Sequence, residues 1–408
     1  MPELQQGIYW DEDQTPPRHF AIVFLRVTAG ANASDVAAAL AGLTAVWNNL
    51  QAGVVPGLEG ANIPPSGLSW LIGYGRKAFE VPGKGRNMPR GLQRQNVFSS
   101  VLPGGGGTVL DGAGIAYSDA IASNPATEEI AVQFLADTPL ATSRAIVETW
   151  TWLEASRDPS TGRAPVMMSA SFTGFNREDH RSWIGFHDGI SNLRSGLERK
   201  SVIEVKRTGL DPQDRWTEGG TYLAFVRLAV DLSLWNSIPF AEQEALVGRQ
   251  KISGCPIVDL DNAGRAIAMA GCPVTGTDSI TEPRNSGFRE PPDGVSAAVK
   301  LSHVQRANHH ELPVFRRSSQ RFFRQGYEFL EAPVPGRPLL AGLNFVSFQE
   351  HPERLLETLK REGWLGETNF GGAVGPDLIT AHAAGIYFCP AAGSEDWPGQ
   401  SIFEPAVA

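Results

Sequence analysis

Phe20-Ala21-Ile22-Val23-Phe24-Leu25-Arg26-Val27 is an apolar run rich in β-branched and aromatic residues, and it predicts a strand. Ser34 to about Leu50 follows, with Val36, Leu40, Leu43 and Trp47 recurring at helical spacing behind Ser34 as the expected cap. Working outward, the same criteria predict a strand at Leu68–Gly73, then a long Gly/Pro-rich excursion through Gly104–Gly107. Next come a strand at Glu129–Ala136, a helix at Ala141–Ala155 and a strand near Pro165–Ser171. The order β-α-β-β-α-β is the split βαβ, or ferredoxin-like, unit.

The second half repeats that order with one delay. Thr221–Val230 reads as a strand and Phe240–Arg249 as a helix, but the next strand waits until about Tyr327–Leu330. Leu343–Gln349 is then a strand, Pro352–Glu362 a helix with Pro in its first turn, and Gly385–Phe388 a last strand. The expected fold is therefore α+β, a duplication of two ferredoxin-like domains over residues 1–175 and 176–408. The second carries a long insertion, about 251–323.

The chain has 408 residues, 42% hydrophobic and 19% charged, which excludes collagen-like, disordered and coiled-coil classes. Its formal net charge of −9 repels phosphate backbones and anionic lipid, so neither nucleic acid nor membrane is an expected partner. Cys255, Cys272 and Cys389 include no C-x-x-C pair, which rules out a cysteine-rich zinc site and a c-type haem attachment. The polar, acidic N-terminus and the lack of a long apolar run predict a cytoplasmic chain with reduced thiols. Neither Gly104–Gly107 nor Gly83–Arg86 has the Lys-Ser/Thr needed to cradle phosphates.

Two segments carry chemistry. In Gly185-Phe186-His187-Asp188-Gly189-Ile190-Ser191-Asn192, Asp188-Gly189 alone reads as a hairpin turn. Alternatively, Gly185 and Gly189 let the backbone approach a flat ligand while the Asp188 carboxylate projects over it. The insertion ends in Leu301-Ser302-His303-Val304-Gln305-Arg306-Ala307-Asn308-His309-His310 and continues through Arg316, Arg317 and Arg321 to Arg324-Gln325-Gly326-Tyr327. His303, His309 and His310 lack the order and companion carboxylate of a zinc site. One axial His to an iron, with Arg nearby for anionic groups, is the alternative.

Together these segments resemble the dye-decolorising peroxidase family, marked by G-x-x-D-G, a later H-[IV]-x-R-x-N and a downstream R-x-G-Y. Here they stand as Gly185–Gly189, His303–Asn308 and Arg324–Tyr327. Weaker echoes are Leu4–Ile8, Gly219–Tyr222 leading to Arg227 and Trp235, and Gly342–Gln349. The form of the His303 segment and the absent export signal resemble the family's larger non-secreted branch.

The resemblance implies non-covalent haem b (iron protoporphyrin IX), held mainly by the second domain. It implies a peroxidase that reduces hydrogen peroxide and oxidises dyes, phenols and similar one-electron donors through an iron(IV)-oxo intermediate. His303 would be the axial iron ligand and Glu353 the carboxylate behind it, although Glu353 reads equally as a helix N-terminal charge. Asp188 would accept and return the peroxide proton, and Arg324 would stabilise charge as the O–O bond breaks. Leu343 and Phe345 would wall that pocket, Arg306 would meet a propionate, and Tyr327 would be an electron relay reached from the surface. Alternatives are haem carriage or iron release, and a chlorite dismutase or coproporphyrin decarboxylase-like haem enzyme; Asp188 argues against the last pair.

Overall fold

The computed structural model describes residues 3–10, 16–58, 60–93, 116–117, 129–188, 192–193, 196–268, 302–304, 322–335, 338–355, 378–393 and 395–404. Gly104–Gly107, Gly189, Cys272, Arg306, His309, His310, Arg316, Arg317, Arg321 and most of the predicted Pro352–Glu362 helix lie outside these.

In the first half, β1 (His19–Val27) is followed by α1 (Ala33–Gln51), β2 (Ser69–Tyr74), the short β3 (Ala116–Tyr117), β4 (Ile130–Ala136), α2 (Pro139–Ala155) and β5 (Val166–Phe175). The cap of α1 is Asn32 rather than Ser34. Its side chain accepts from the N–H groups of Ser34 and Asp35, while the Asp35 carboxylate accepts from the Asn32 N–H, a closed capping box. Thr138 caps α2, and Pro139 fills the first turn, where its missing N–H costs nothing. The two helices meet through Trp47 Nε1, which donates to Thr149 Oγ1 at 2.9 Å.

The second half runs α3 (Gly196–Ile203), β6 (Thr221–Val230), α4 (Leu232–Ser237), α5 (Phe240–Val247), the hairpin β7 (Ile257–Leu260) and β8 (Ala266–Ala268), then β9 (Phe323–Glu331), β10 (Leu340–Gln349) and β11 (Ile379–Cys389). β6 matches its sequence-predicted span, whereas β9, β10 and β11 outrun theirs, at β9 because polar residues still pair in the ladder: Arg324 and Gln325 lie opposite Ser347 and Val346.

All the described strands but the β7–β8 hairpin form one sheet in the order β2-β4-β1-β5-β9-β10-β6-β11-β3, and β2 also pairs with β11. Each half contributes the 2-3-1-4 order of a ferredoxin-like unit. The halves join where Phe175 of β5 meets Glu328 of β9 and where Tyr74 of β2 meets Phe388 of β11, so the sheet closes into a barrel. Closure removes the exposed strand edges that an open sheet would leave.

Strand alternation divides the apolar residues between the two faces. Phe20, Ile22 and Phe24 of β1 turn inward with Phe225, Tyr327, Val346, Phe348 and Tyr387 to form the barrel core. The outer face packs against the helices through residues such as Val23, Val226, Phe345 and Ile386. Phe20 stacks on Tyr327 with centroids 4.5 Å apart and planes at 12°, an arrangement worth about 1 kcal/mol beyond burial. Tyr327 is 1% exposed, which corrects its expected placement near the surface.

A second correction concerns the cysteines. Cys255 is disulfide-bonded, where reduced thiols were expected, and Cys389 is free and buried. No described helix is long and apolar enough to cross a membrane.

Candidate functional site

The site begins on β9, where Arg324, Gly326 and Glu328 alternate onto the outer face. Directly opposite on β10 are Ser347, Phe345 and Leu343, so both sets share one face of the sheet. Gly326 leaves that face without a side chain at its centre. A Cβ there would stand 2.9 Å from Asp188 Oδ2 and 3.2 Å from Leu343 Cδ1. The structure therefore brings Asp188, Leu343 and, by register, Phe345 and Arg324 to one cradle. Phe322 meets Phe345 edge to face, with centroids 5.9 Å apart.

Asp188 arrives on a folded-back loop. Its N–H donates to His180 O at 2.9 Å, the Ser182 N–H donates to Phe186 O at 2.9 Å, and the Gly185 N–H donates to Ser182 O at 2.8 Å. Arg181 ties the loop to the insertion by donating to Gly185 O, Lys251 O and Ile252 O and by contacting His187 Nε2 at 2.8 Å. Burial, then the Arg181 charge, holds His187 below its ordinary pKa, which suits an imidazole that accepts from guanidinium.

Gly185 has φ +88°, and a Cβ there would stand 2.5 Å from Lys251 Cε. The side where a Cβ would stand is thus filled by Lys251. The Lys251 ammonium lies 5.5 Å from the Phe186 ring centroid, 5.7 Å from Trp235 and 5.6 Å from Phe240. These cation–π contacts anchor the loop further.

Asn192 closes the Gly185–Asn192 segment, and the sequence assigns it no role. Its Oδ1 accepts from the Arg324 N–H at 3.0 Å and its Nδ2 donates to Arg324 O at 2.7 Å. One amide therefore satisfies both backbone groups of Arg324, as a neighbouring strand would. The sequence signal was its place four residues after Asp188, but its partner is 132 positions away.

Glu328 was also missed. It is 6% exposed, and burial followed by repulsion from Asp188 pushes its carboxyl up to about 8.

His303 stands on a separate helical turn, Ser302–Val304. Ser302 is 1% exposed and packs against Gly248, whose φ of +86° and missing side chain make room for it. Val304 joins the outer hydrophobic cluster that includes Phe186, Leu343 and Phe345. The Nδ1 atom of His303 is buried. Glu353 follows β10, half-buried, with its N–H 3.3 Å from His351 Nδ1.

These residues fit haem. Gly326 leaves bare backbone between a carboxylate and an apolar side chain, the mixed apolar and polar lining that a porphyrin with a reactive centre calls for. His303 supplies the imidazole needed by ferric or ferrous iron, held on a buried turn.

The Dyp-type peroxidase C-terminal model matches residues 179–394, more than half of the chain. The chain belongs to the Dyp-type peroxidase family. The match spans the Asp188 loop, the His303 turn and the β9–β10 cradle of this family member.

A deferrochelatase of Escherichia coli (strain UTI89) is 22% identical over 307 residues, 75% of this chain and 62% of that protein. The chain thus spans less than two thirds of the length of such relatives. Among solved structures, a DyP-type peroxidase from Streptomyces coelicolor matches with TM-score 0.69 and 21% identity, covering 99% of this chain and 96% of that one. Ferric DtpA from Streptomyces lividans matches with TM-score 0.68 and 21% identity, over 98% of this chain and 95% of that one. At that identity the agreement is one of fold, a closed sheet of two ferredoxin-like units.

Proposed function

We propose that the chain is a haem b peroxidase that reduces hydrogen peroxide and oxidises dyes, phenols and similar one-electron donors. The observation that carries this reading is the convergence of Asp188 and the Arg324 strand on Gly326. A carboxylate and the strand that carries Arg324 share that face of the sheet. Haem, when bound, supplies the electrons that break the O–O bond and takes replacements singly from donors.

The chain's residues do the rest. His303 would hold the iron, and Glu353 is the candidate carboxylate that would raise the basicity of its imidazole. Asp188 accepts the peroxide proton at its carboxylate and returns it to the departing oxygen. Arg324 stabilises the negative charge that develops as the bond breaks. Leu343 and Phe345 would exclude water from that space, and Arg306 would pair with a propionate. We place the boundary between the two domains at residue 175, with the haem-holding residues in the second.

In this reading bulky donors give up their electrons away from the pocket that takes peroxide. Tyr327, enclosed in the barrel, serves only as an internal relay. Tyr327→Phe is expected to slow dye turnover while leaving the peroxide step unchanged.

The name of the deferrochelatase relatives favours a second reading, iron release from haem. A spectrum of the haem-loaded protein before and after stoichiometric hydrogen peroxide separates the two. Fast formation of an oxidised haem spectrum supports the peroxidase; no such intermediate, with haem absorbance giving way slowly to that of metal-free porphyrin, supports release.

A further inference from the structure

We propose that Glu328, buried on the same face of β9 as the Asp188 site, is a second acid of that site, and that a negative charge on it slows the peroxide step. The inference rests on the peroxidase reading and adds to it a residue outside the three motifs.

Geometry comes first. Glu328 lies two positions beyond Gly326 on the same face of β9, about 7 Å along the strand. The Asp188 carboxylate sits over Gly326, so the two carboxyl groups are neighbours. Opposite Glu328 stand Leu343 of β10 and Phe175 of β5, both apolar, and Glu328 itself is 6% exposed. Water therefore does little to stabilise its charge.

The surrounding charges do not make up the loss. The loop beyond β5 brings the Trp183 N–H, which donates to the Glu328 carboxyl, together with Arg177 and Asp179. Arg177 favours the ionised acid, but its guanidinium is held by Asp179, with Nε 2.9 Å from Oδ1 and Nη2 2.5 Å from Oδ2. Asp179 and Asp188 both oppose ionisation. Burial is the largest influence, and the carboxyl is pushed up to about 8.

At neutral pH Glu328 is a carboxylic acid. When O–O cleavage develops negative charge beside Arg324, a neutral Glu328 adds no repulsion. An ionised Glu328 would place a second anion on the same face and oppose that charge. No bond other than O–H changes at Glu328: it loses one proton to solvent in alkali and regains it on acidification.

The first test is the infrared carboxylic-acid C=O band of the protein, with and without haem. The parent is expected to show a protonated buried carboxyl at neutral pH that disappears as pH rises through about 8, and Glu328→Gln is expected to lack it. The second is the bimolecular rate with hydrogen peroxide, expressed as the ratio between about pH 6 and about pH 9.5. The parent ratio is expected to be about tenfold; that of Glu328→Gln is expected to be near one, while Glu328→Asp keeps a fall. The proposal is overturned if Glu328→Gln retains the band or shows the parent's fall in rate. Should Glu328→Gln not fold, the parent's band, followed with labelled glutamate and the Glu328→Asp variant, decides. Parent-like peroxide kinetics in Asp188→Asn would instead sink the peroxidase roles, and the band would still report the protonation of Glu328 independently of them.

Discussion

The carboxylate of Asp188 lies over Gly326, with Oδ2 2.9 Å from the place a Cβ would occupy, although 138 positions separate the two residues in the chain. The atom that an added methyl group would meet is the free end of a side chain, so the fold can yield while the carboxylate cannot stay in place. Gly326→Ala is expected to melt within a few degrees of the parent and to retain haem. Its reaction with peroxide should slow by about 10²-fold, the usual scale for a misplaced catalytic group. Stopped-flow rates beside a thermal melt check both halves.

Arg324 is expected to matter more than Asp188. Loss of one electrostatic donor costs about 10²–10³ in rate, and loss of a positioned acid or base about 10²–10⁴. Water can relay a proton but cannot stand as a fixed cation. Bimolecular peroxide rates for Arg324→Leu and Asp188→Asn, both loaded with haem, decide the order. A near-parent rate in Arg324→Leu beside an inactive Asp188→Asn would reverse it.

Asn192→Ala removes both hydrogen bonds to the Arg324 backbone. It is expected to cost about 1–3 kcal/mol in stability. The peroxide step should slow too, but less than in Arg324→Leu, because the guanidinium remains while its backbone loosens. Urea unfolding and stopped-flow kinetics on one preparation give the two numbers.

His303→Ala is expected to lose haem or its His-ligated spectrum, whereas His309→Ala keeps both. The reverse pattern would move the axial ligand along the chain. Haem content per chain and the absorption spectrum are sufficient readouts.

Stability should also report on Glu328. Its folded-state carboxyl titrates near 8, above the ordinary value of 4.5, so the folded chain holds a proton that the unfolded chain has released. The associated stability is full below about pH 4.5 and is lost as pH rises through about 8. Urea unfolding of the haem-free chain at both ends of that window should show a fall in the parent that is smaller in Glu328→Gln.

Much of the fold was legible because hydrophobic periodicity is a local property. Phe20–Val27 carries its own strand signal, and α1 carries its own stripe at Val36, Leu40, Leu43 and Trp47. The cap was misplaced by two residues because both Asn32 and Ser34 can accept N–H groups, and only the backbone path showed which one does. Strand ends were less legible, since Arg324 and Gln325 look like loop residues until their cross-strand partners are known.

By itself, the sequence determined two β-α-β-β-α-β units, the lack of a phosphate-binding loop, and the three motifs that place Asp188, His303 and Arg324 among the candidate residues. Tertiary structure alone decided that the units close into one barrel, that Tyr327 lies inside it, that Lys251 fills the space beside Gly185, and that Asn192 grips the Arg324 backbone. It also decided that Glu328 lies buried near Asp188. The reason is physical: a strand or helix signal is written in neighbours a few residues apart, whereas burial, charge and room for a side chain are set by residues that meet only when the chain has folded.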